Sequence, residues 1–204
     1  MTHEAALGLR AHSGWAALVA LGGPVTAPIV LRRCRVELAD RAIEGSSQAY
    51  HTAEKMPLPK AAEFVQRCNA ATAALSAHAV QHTIAELSDR GYSAQSACVL
   101  LSSARPLPDL KSILASHALI HTAEGEFYRD ALRTACSQCG LATMGVRERE
   151  LPGLAAERLN ISAAALEARI SELGKTVGPP WRQDEKLCAL ASWVALMPPS
   201  SSGF

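Results

Sequence analysis

His117, His121 and Glu124 carry the densest chemistry in the chain. At 100° per residue on a helix they fall within about 60° of one another, so two imidazoles and a carboxylate share one face. Imidazole nitrogens bind zinc and related transition metals. A carboxylate one turn further on can act as a third ligand, an orienter or a general base. These three are therefore the expected catalytic residues and, with Asp184 as a further donor, the expected ligands of a divalent metal. The same spacing sets them in the stripe of Leu110, Ile113, Leu114, Tyr128, Ala131 and Leu132, which should face the core. Burying such groups is costly unless each finds a partner. A satisfied structural network is the competing explanation. Gly125, costing about 1 kcal/mol against alanine within a helix, points to close approach of a ligand or another backbone.

Four residues nearer the N-terminus are candidates for holding a substrate: Arg10, His12, His51 and Glu54. An arginine can clamp a phosphate or carboxylate with two parallel hydrogen bonds. An ion pair between Arg10 and a glutamate is the alternative. His51 and Glu54 lie in a loop before the first long helix, and loops often carry function. That helix holds His78, His82 and Glu86 at metal-competent spacing, although histidines at wet helix edges are ordinary. No His-Glu-x-x-His, Gly-x-Ser-x-Gly, phosphate loop or dinucleotide fingerprint is present. Cys136 and Cys139 lack a second ligand pair and close a helix rather than opening one. The six cysteines read as small buried hydrophobes.

The elements that must position these residues follow from pattern. Leu7 to Leu21 is apolar around the turn-prone Ala11-His12-Ser13-Gly14, giving one bent strand or a tight hairpin, and Gly22-Gly23-Pro24 turns the chain. Ile29 to Leu38 alternates as a half-wet strand. A helix is expected from about Lys60 to Arg90, stopping at Gly91, and a doubly covered strand over Ala97–Leu101. Asp109 should cap a second helix reaching Cys139, with Gly140 as terminator. A strand over Leu141–Arg147 and helices over Leu154–Leu173 and Gln183–Leu196 complete the order, with a possible restart after Asn160. This predicts an α/β fold: a mixed sheet made of an N-terminal antiparallel meander followed by strand–helix crossovers. Residues 1–197 are expected to form a single domain and 198–204 a disordered tail.

Composition narrows the classes. The chain has 204 residues, 49% hydrophobic and 19% charged, with a formal charge of +1 from 20 basic and 19 acidic side chains. It can bury a core, and it lacks the basic excess of a binder driven by electrostatics alone. No apolar run reaches the roughly 18 residues of a membrane span, so no membrane partner is expected. Arg10 and His12 ahead of Trp15–Leu21 have some signal-peptide character. Glu4 and the early Gly22-Gly23-Pro24 favour a strand there, and the cytoplasm is the expected compartment. Trp181 and Trp193 near the last helix leave a homo-oligomer open.

The element order resembles the ribonuclease H-like superfamily and, within it, the Holliday-junction resolvase branch. Leu7-Gly8-Leu9-Arg10-Ala11-His12-Ser13-Gly14-Trp15 is similar to that family's first hairpin. Arg90-Gly91-Tyr92 before an apolar strand, and Gln183-Asp184-Glu185 ahead of an Ala/Leu run, are similar to its long helix end and its last helix. The resemblance implies a ribonuclease H-like fold and, in its nucleases, two metal ions held by clustered carboxylates. Here Arg10 stands at the first-strand position and Leu101-Ser102-Ser103 at the central strand end, leaving only Asp184 and Glu185 as family-like acids. Three functions stay open: a catalytically degenerate ribonuclease H-like protein binding a nucleic acid or protein partner through Arg10, Arg32, Arg33 and Arg35; a metal- or acid/base-dependent enzyme on a small anion; and a non-catalytic scaffold.

Overall fold

A computed structural model describes residues 3–102 and 106–198; Ser103 and residues 199–204 of the expected tail lie outside the described residues. Strands β1 (His3–His12), β2 (Trp15–Gly22) and β3 (Ile29–Glu37) form an antiparallel meander. Next come a short helix α1 (Ala49–Ala53), the long α2 (Leu58–Asp89), β4 (Tyr92–Leu101), α3 (Leu110–Leu114), α4 (His117–Gln138) and β5 (Ala142–Arg147). Helices α5 (Leu151–Leu159), α6 (Ala163–Val177) and α7 (Gln183–Leu196) close the described chain. The sheet order is β3-β2-β1-β4-β5, with β4 and β5 parallel to β1. It is the mixed α/β sheet expected from the sequence.

Helices cover both faces, so the central strands lack a wet side. Ala5 to Leu9 are all buried. Alternate residues serve opposite layers: Ala6 packs with α5, α6 and α7, whereas Leu7 and Leu9 pack with Val80 and Leu87 of α2 and Tyr128 and Leu132 of α4. That is the continuous apolar run of a strand buried on both faces. The hairpin between β1 and β2 turns at Ser13-Gly14, where Gly14 has φ +81°. That left-handed conformation suits glycine, which lacks a Cβ.

The helices depart from expectation in two places: α1, which holds His51, forms where a loop was expected, and the second long helix is split. Asp109 does cap, accepting from Ser112 N–H at 2.9 Å, but the helix it starts lasts only to Leu114. Ser116 is extended (φ −139°, ψ 112°) and α4 begins afresh at His117. Leu110, Ile113 and Leu114 therefore do not continue the face of α4. The expected restart after Asn160 is present: Asn160 is left-handed (φ 50°), and Ser162 accepts from Ala165 N–H at 3.2 Å. No described helix is long and apolar enough to cross a membrane.

Candidate functional site

Helix α7 packs on β1, β2 and β4, and its start and the residue that follows β5 meet at the carboxyl end of β1. The approach of α7 depends on Gly8, where a Cβ would lie 1.9 Å from the Cys188 carbonyl oxygen and 2.6 Å from Ser192 N. Ser192 fixes the helix by donating to Ala6 O at 2.8 Å and accepting from Leu21 N–H at 3.0 Å. This packing brings Asp184, in the first turn of α7, to Arg10. The Arg10 guanidinium donates Nε–H to Glu148 Oε2 at 2.9 Å and Nη2–H to Glu148 Oε1 at 3.0 Å, and Nη1–H to Asp184 Oδ1. His12 Nε2 lies 3.0 Å from the same Asp184 oxygen. Its ring stacks on Trp15 at 4.2 Å, and the Arg35 guanidinium sits 4.1 Å over that indole. Burial opposes the charge on Arg10, but Glu148 and Asp184 outweigh it and raise the pKa. Burial likewise opposes ionisation of Asp184, and the Arg10 and His12 contacts outweigh it, holding the carboxyl below its ordinary value.

Beside this network opens a cleft of about 410 Å³ lined by Arg10, His12, Ser102, Arg129, Arg147 and Arg149, among others. Ser102 donates to Glu126 Oε1 at 3.0 Å, and Arg129 to the same oxygen at 2.9 Å. The Arg129 side chain runs past Gly125, 2.6 Å from where a Cβ would lie. The close approach expected at Gly125 is thus made by an arginine of its own helix. Among the described residues, Arg147 and Arg149 are paired only with exposed Glu150, at 3.2 and 3.7 Å. Surface pairs of this kind contribute about 0–1 kcal/mol and exchange readily.

The other candidates gather elsewhere. His51 of α1 meets His117 and His121 of α4, with one ring nitrogen from each within 4.8 Å of the others. His117 and His121 are exposed, not in the core; the stripe they share becomes buried from Glu124 onward, while Ile120 and Ala123 of the same turns are buried against α3. Glu124 is 4% exposed, and its Oε1 accepts from Tyr50 N–H at 2.6 Å and His51 N–H at 3.3 Å. It satisfies the N-terminus of α1, as a capping carboxylate does. Burial raises its pKa against these bonds.

Asp184, on α7, is not grouped with the histidines: it is bonded to Arg10 and His12 of β1. Arg10 and His12 are likewise separated from His51, and Glu54 is exposed and joins neither group. His78 and His82 are exposed on α2, and Glu86 is shared with Arg32. Arg33 donates to the carbonyls of Gly178, at 2.7 Å, and Pro180, and Arg35 pairs with Glu37 at 2.9 Å. These two are engaged within the chain, so they form no free basic patch. Glu185 caps α7, accepting from Arg182 N–H at 2.7 Å.

No known protein family matches this chain, and neither does any curated protein. Solved structures do. Thermus thermophilus RuvC in complex with a Holliday-junction substrate aligns over 94% of this chain and 92% of its own, at 9% identity and TM-score 0.50. The fold is ribonuclease H-like. A further Thermus thermophilus RuvC structure aligns over 93% and 92% at 9% identity, with TM-score 0.44.

In this ribonuclease H-like frame the donor set can be tested against the two-metal centre that the resemblance implies. Two divalent ions need several carboxylates free to coordinate them. The edge offers Glu148, Asp184 and Glu126; the first two are bonded to the Arg10 guanidinium lying between them, and Glu126 to Ser102 and Arg129. The residues present do not fit such a centre. Glu148, Arg129 and Glu126 were not among the expected site residues. Arg147-Glu148-Arg149-Glu150 reads as a wet charged turn, and only the alignment of β5 with β1 across β4 reveals that Glu148 reaches Arg10.

Proposed function

We propose that this chain is a catalytically degenerate ribonuclease H-like protein that binds structured nucleic acid across the cleft at the carboxyl edge of its sheet. The observation that carries the reading is Arg10, whose guanidinium ties Glu148 and Asp184 together where metal-binding acids would be needed. A fixed cation at that point takes the place of a divalent ion between the two acids and leaves attraction for phosphate to Arg147 and Arg149 at the rim. Open α/β sheets bind ligands at the carboxyl ends of their parallel strands, and the cleft lies there. The aligned RuvC holds a Holliday junction in its solved complex, which makes a branched duplex the natural probe. The arginines of the cleft each have a carboxylate neighbour, so the attraction is local. Arg147 and Arg149 exchange Glu150 for phosphate, while Arg10 and Arg129 keep the cleft floor in shape. The cytoplasm is the compartment that suits this partner.

The experiment is a four-way DNA junction incubated with the protein in magnesium and then in manganese, read by native and denaturing gels. Retarded junction without strand cleavage is expected, weakened by about 1–3 kcal/mol in Arg147→Gln/Arg149→Gln, the range for losing charged contacts. Cleavage above the protein-free control, dependent on either metal and lost in Asp184→Asn, would overturn the degenerate reading. Absence of retardation would overturn the nucleic-acid partner.

A further inference from the structure

The histidine cluster lies apart from the arginine cleft and takes no part in the reading above. Its three rings meet edge to face, with centroids 5.4 Å apart for His51 and His117, 4.8 Å for His51 and His121, and 4.5 Å for His117 and His121. His117 Nε2 and His121 Nε2 are 3.0 Å apart, and one nitrogen from each of the three residues falls within 4.8 Å of the others. Around a tetrahedral zinc with Zn–N near 2.0–2.1 Å, ligand nitrogens stand roughly 3.4 Å apart. The separations here bracket that value, so rotation of exposed side chains is enough to close the set. His117 and His121 sit at i and i+4 on one helix, a rigid two-ligand base.

A second observation points to a ligand. His51 Nδ1 and Glu124 Oε2 are both buried without a hydrogen-bond partner, and Glu124 Oε1 lies 3.7 Å from His51 Nδ1. Buried polar atoms left unsatisfied are uncommon in a stable fold. A metal-ligating histidine usually offers its far ring N–H to a carboxylate, which fixes the tautomer and turns the other nitrogen toward the metal. Glu124 is placed to be that carboxylate, held by the N–H groups of Tyr50 and His51.

We infer that His51, His117 and His121 form a three-histidine site for a divalent transition metal, zinc by its preference for imidazole, with Glu124 orienting His51 from behind. Magnesium and calcium are poor fits, because they take oxygen ligands. The bound ion staples the five-residue α1 to the start of α4. The exposure of His117 and His121 leaves its fourth position open to water or a small ligand.

The test uses untagged full-length protein, stripped with chelator and titrated with cobalt(II), then zinc. One equivalent of cobalt should bind and give the visible bands of a four-coordinate nitrogen site, and one equivalent of zinc should displace it and raise the Tm. His117→Ala and His121→Ala replace exposed side chains, so both should fold and lose stoichiometric binding. Glu124→Gln should weaken binding by about 10- to 100-fold, as outer carboxylates do. His78→Ala/His82→Ala should bind as wild type. Binding below one equivalent in wild type, a six-coordinate cobalt spectrum, or unchanged binding in both His117→Ala and His121→Ala would overturn the site.

Discussion

At the scale of single residues, two carboxylates of opposite character decide the chemistry. Glu124 is buried and accepts two backbone N–H groups, so removing it strands Tyr50 N–H and His51 N–H. Glu124→Ala should therefore lower stability by about 1–3 kcal/mol in urea unfolding of metal-free protein, the cost of unsatisfied buried donors. Glu124→Gln keeps an acceptor and should lose less; equal losses would mean that these bonds do not hold α1. Because burial raises its folded pKa, ionised Glu124 weakens the fold at higher pH, and that penalty fades as pH falls through the raised value. Asp184 has the opposite sign. Its folded pKa is lowered by Arg10 and His12, outweighing burial, so its contribution is present above the ordinary 3.8 and is lost as pH drops through the lower folded value. Unfolding midpoints followed on acidification from above 3.8 down through the lowered folded value should fall more steeply for wild type than for Asp184→Asn. Parallel curves would count against the Arg10–Asp184 link as a stabilising contact.

At the scale of elements, the site depends on how close α7 comes to β1 and on where α4 begins. Gly8→Ala would force a Cβ into the backbone of α7 at Cys188 and Ser192, which cannot yield as a flexible side chain does. It should cost at or above the upper end of the about 1–3 kcal/mol range for overpacking. Gly125→Ala meets only the far end of Arg129 and gains helix propensity, so its stability should stay within about 1 kcal/mol of wild type. Chemical unfolding of the two variants separates the cases, and a mild Gly8→Ala would place α7 farther from β1. The bounds of α7 were legible in the sequence, because its acidic first turn and Pro198 mark both ends. The break at Ala115-Ser116 was not, since neither residue opposes a helix and the interruption is a tertiary choice. That break spoiled the expected apolar face, although the angular grouping of His117, His121 and Glu124 within α4 survived. His51 could be suspected as a loop histidine, but its meeting with α4 is a long-range contact that spacing along the chain does not encode.

At the scale of the whole molecule, a near-neutral chain carries a cleft where Arg10, Arg129, Arg147 and Arg149 stand against Glu126, Glu148, Glu150 and Asp184. The formal charge of +1 leaves no broad field, and Arg32, Arg33 and Arg35 are spent on Glu86, the Gly178–Pro180 carbonyls and Glu37. The proposed phosphate binding therefore rests on few contacts. The mixed sheet with its antiparallel start was legible because strand and helix periods alternate clearly; the Arg10–Glu148 pairing was not, because it joins residues far apart in sequence across the end of β4. The most direct measurement of the central claim is junction binding by fluorescence anisotropy as a function of salt, for wild type and for Arg147→Gln/Arg149→Gln. Each phosphate neutralised contributes a slope of about −0.9 in log K against log salt. A shallow wild-type slope of roughly −2 to −4 is expected, reduced by about 2 in the double variant, with the junction left intact in magnesium. A slope unchanged by the substitutions, or a junction cut by the wild-type protein, would contradict that claim.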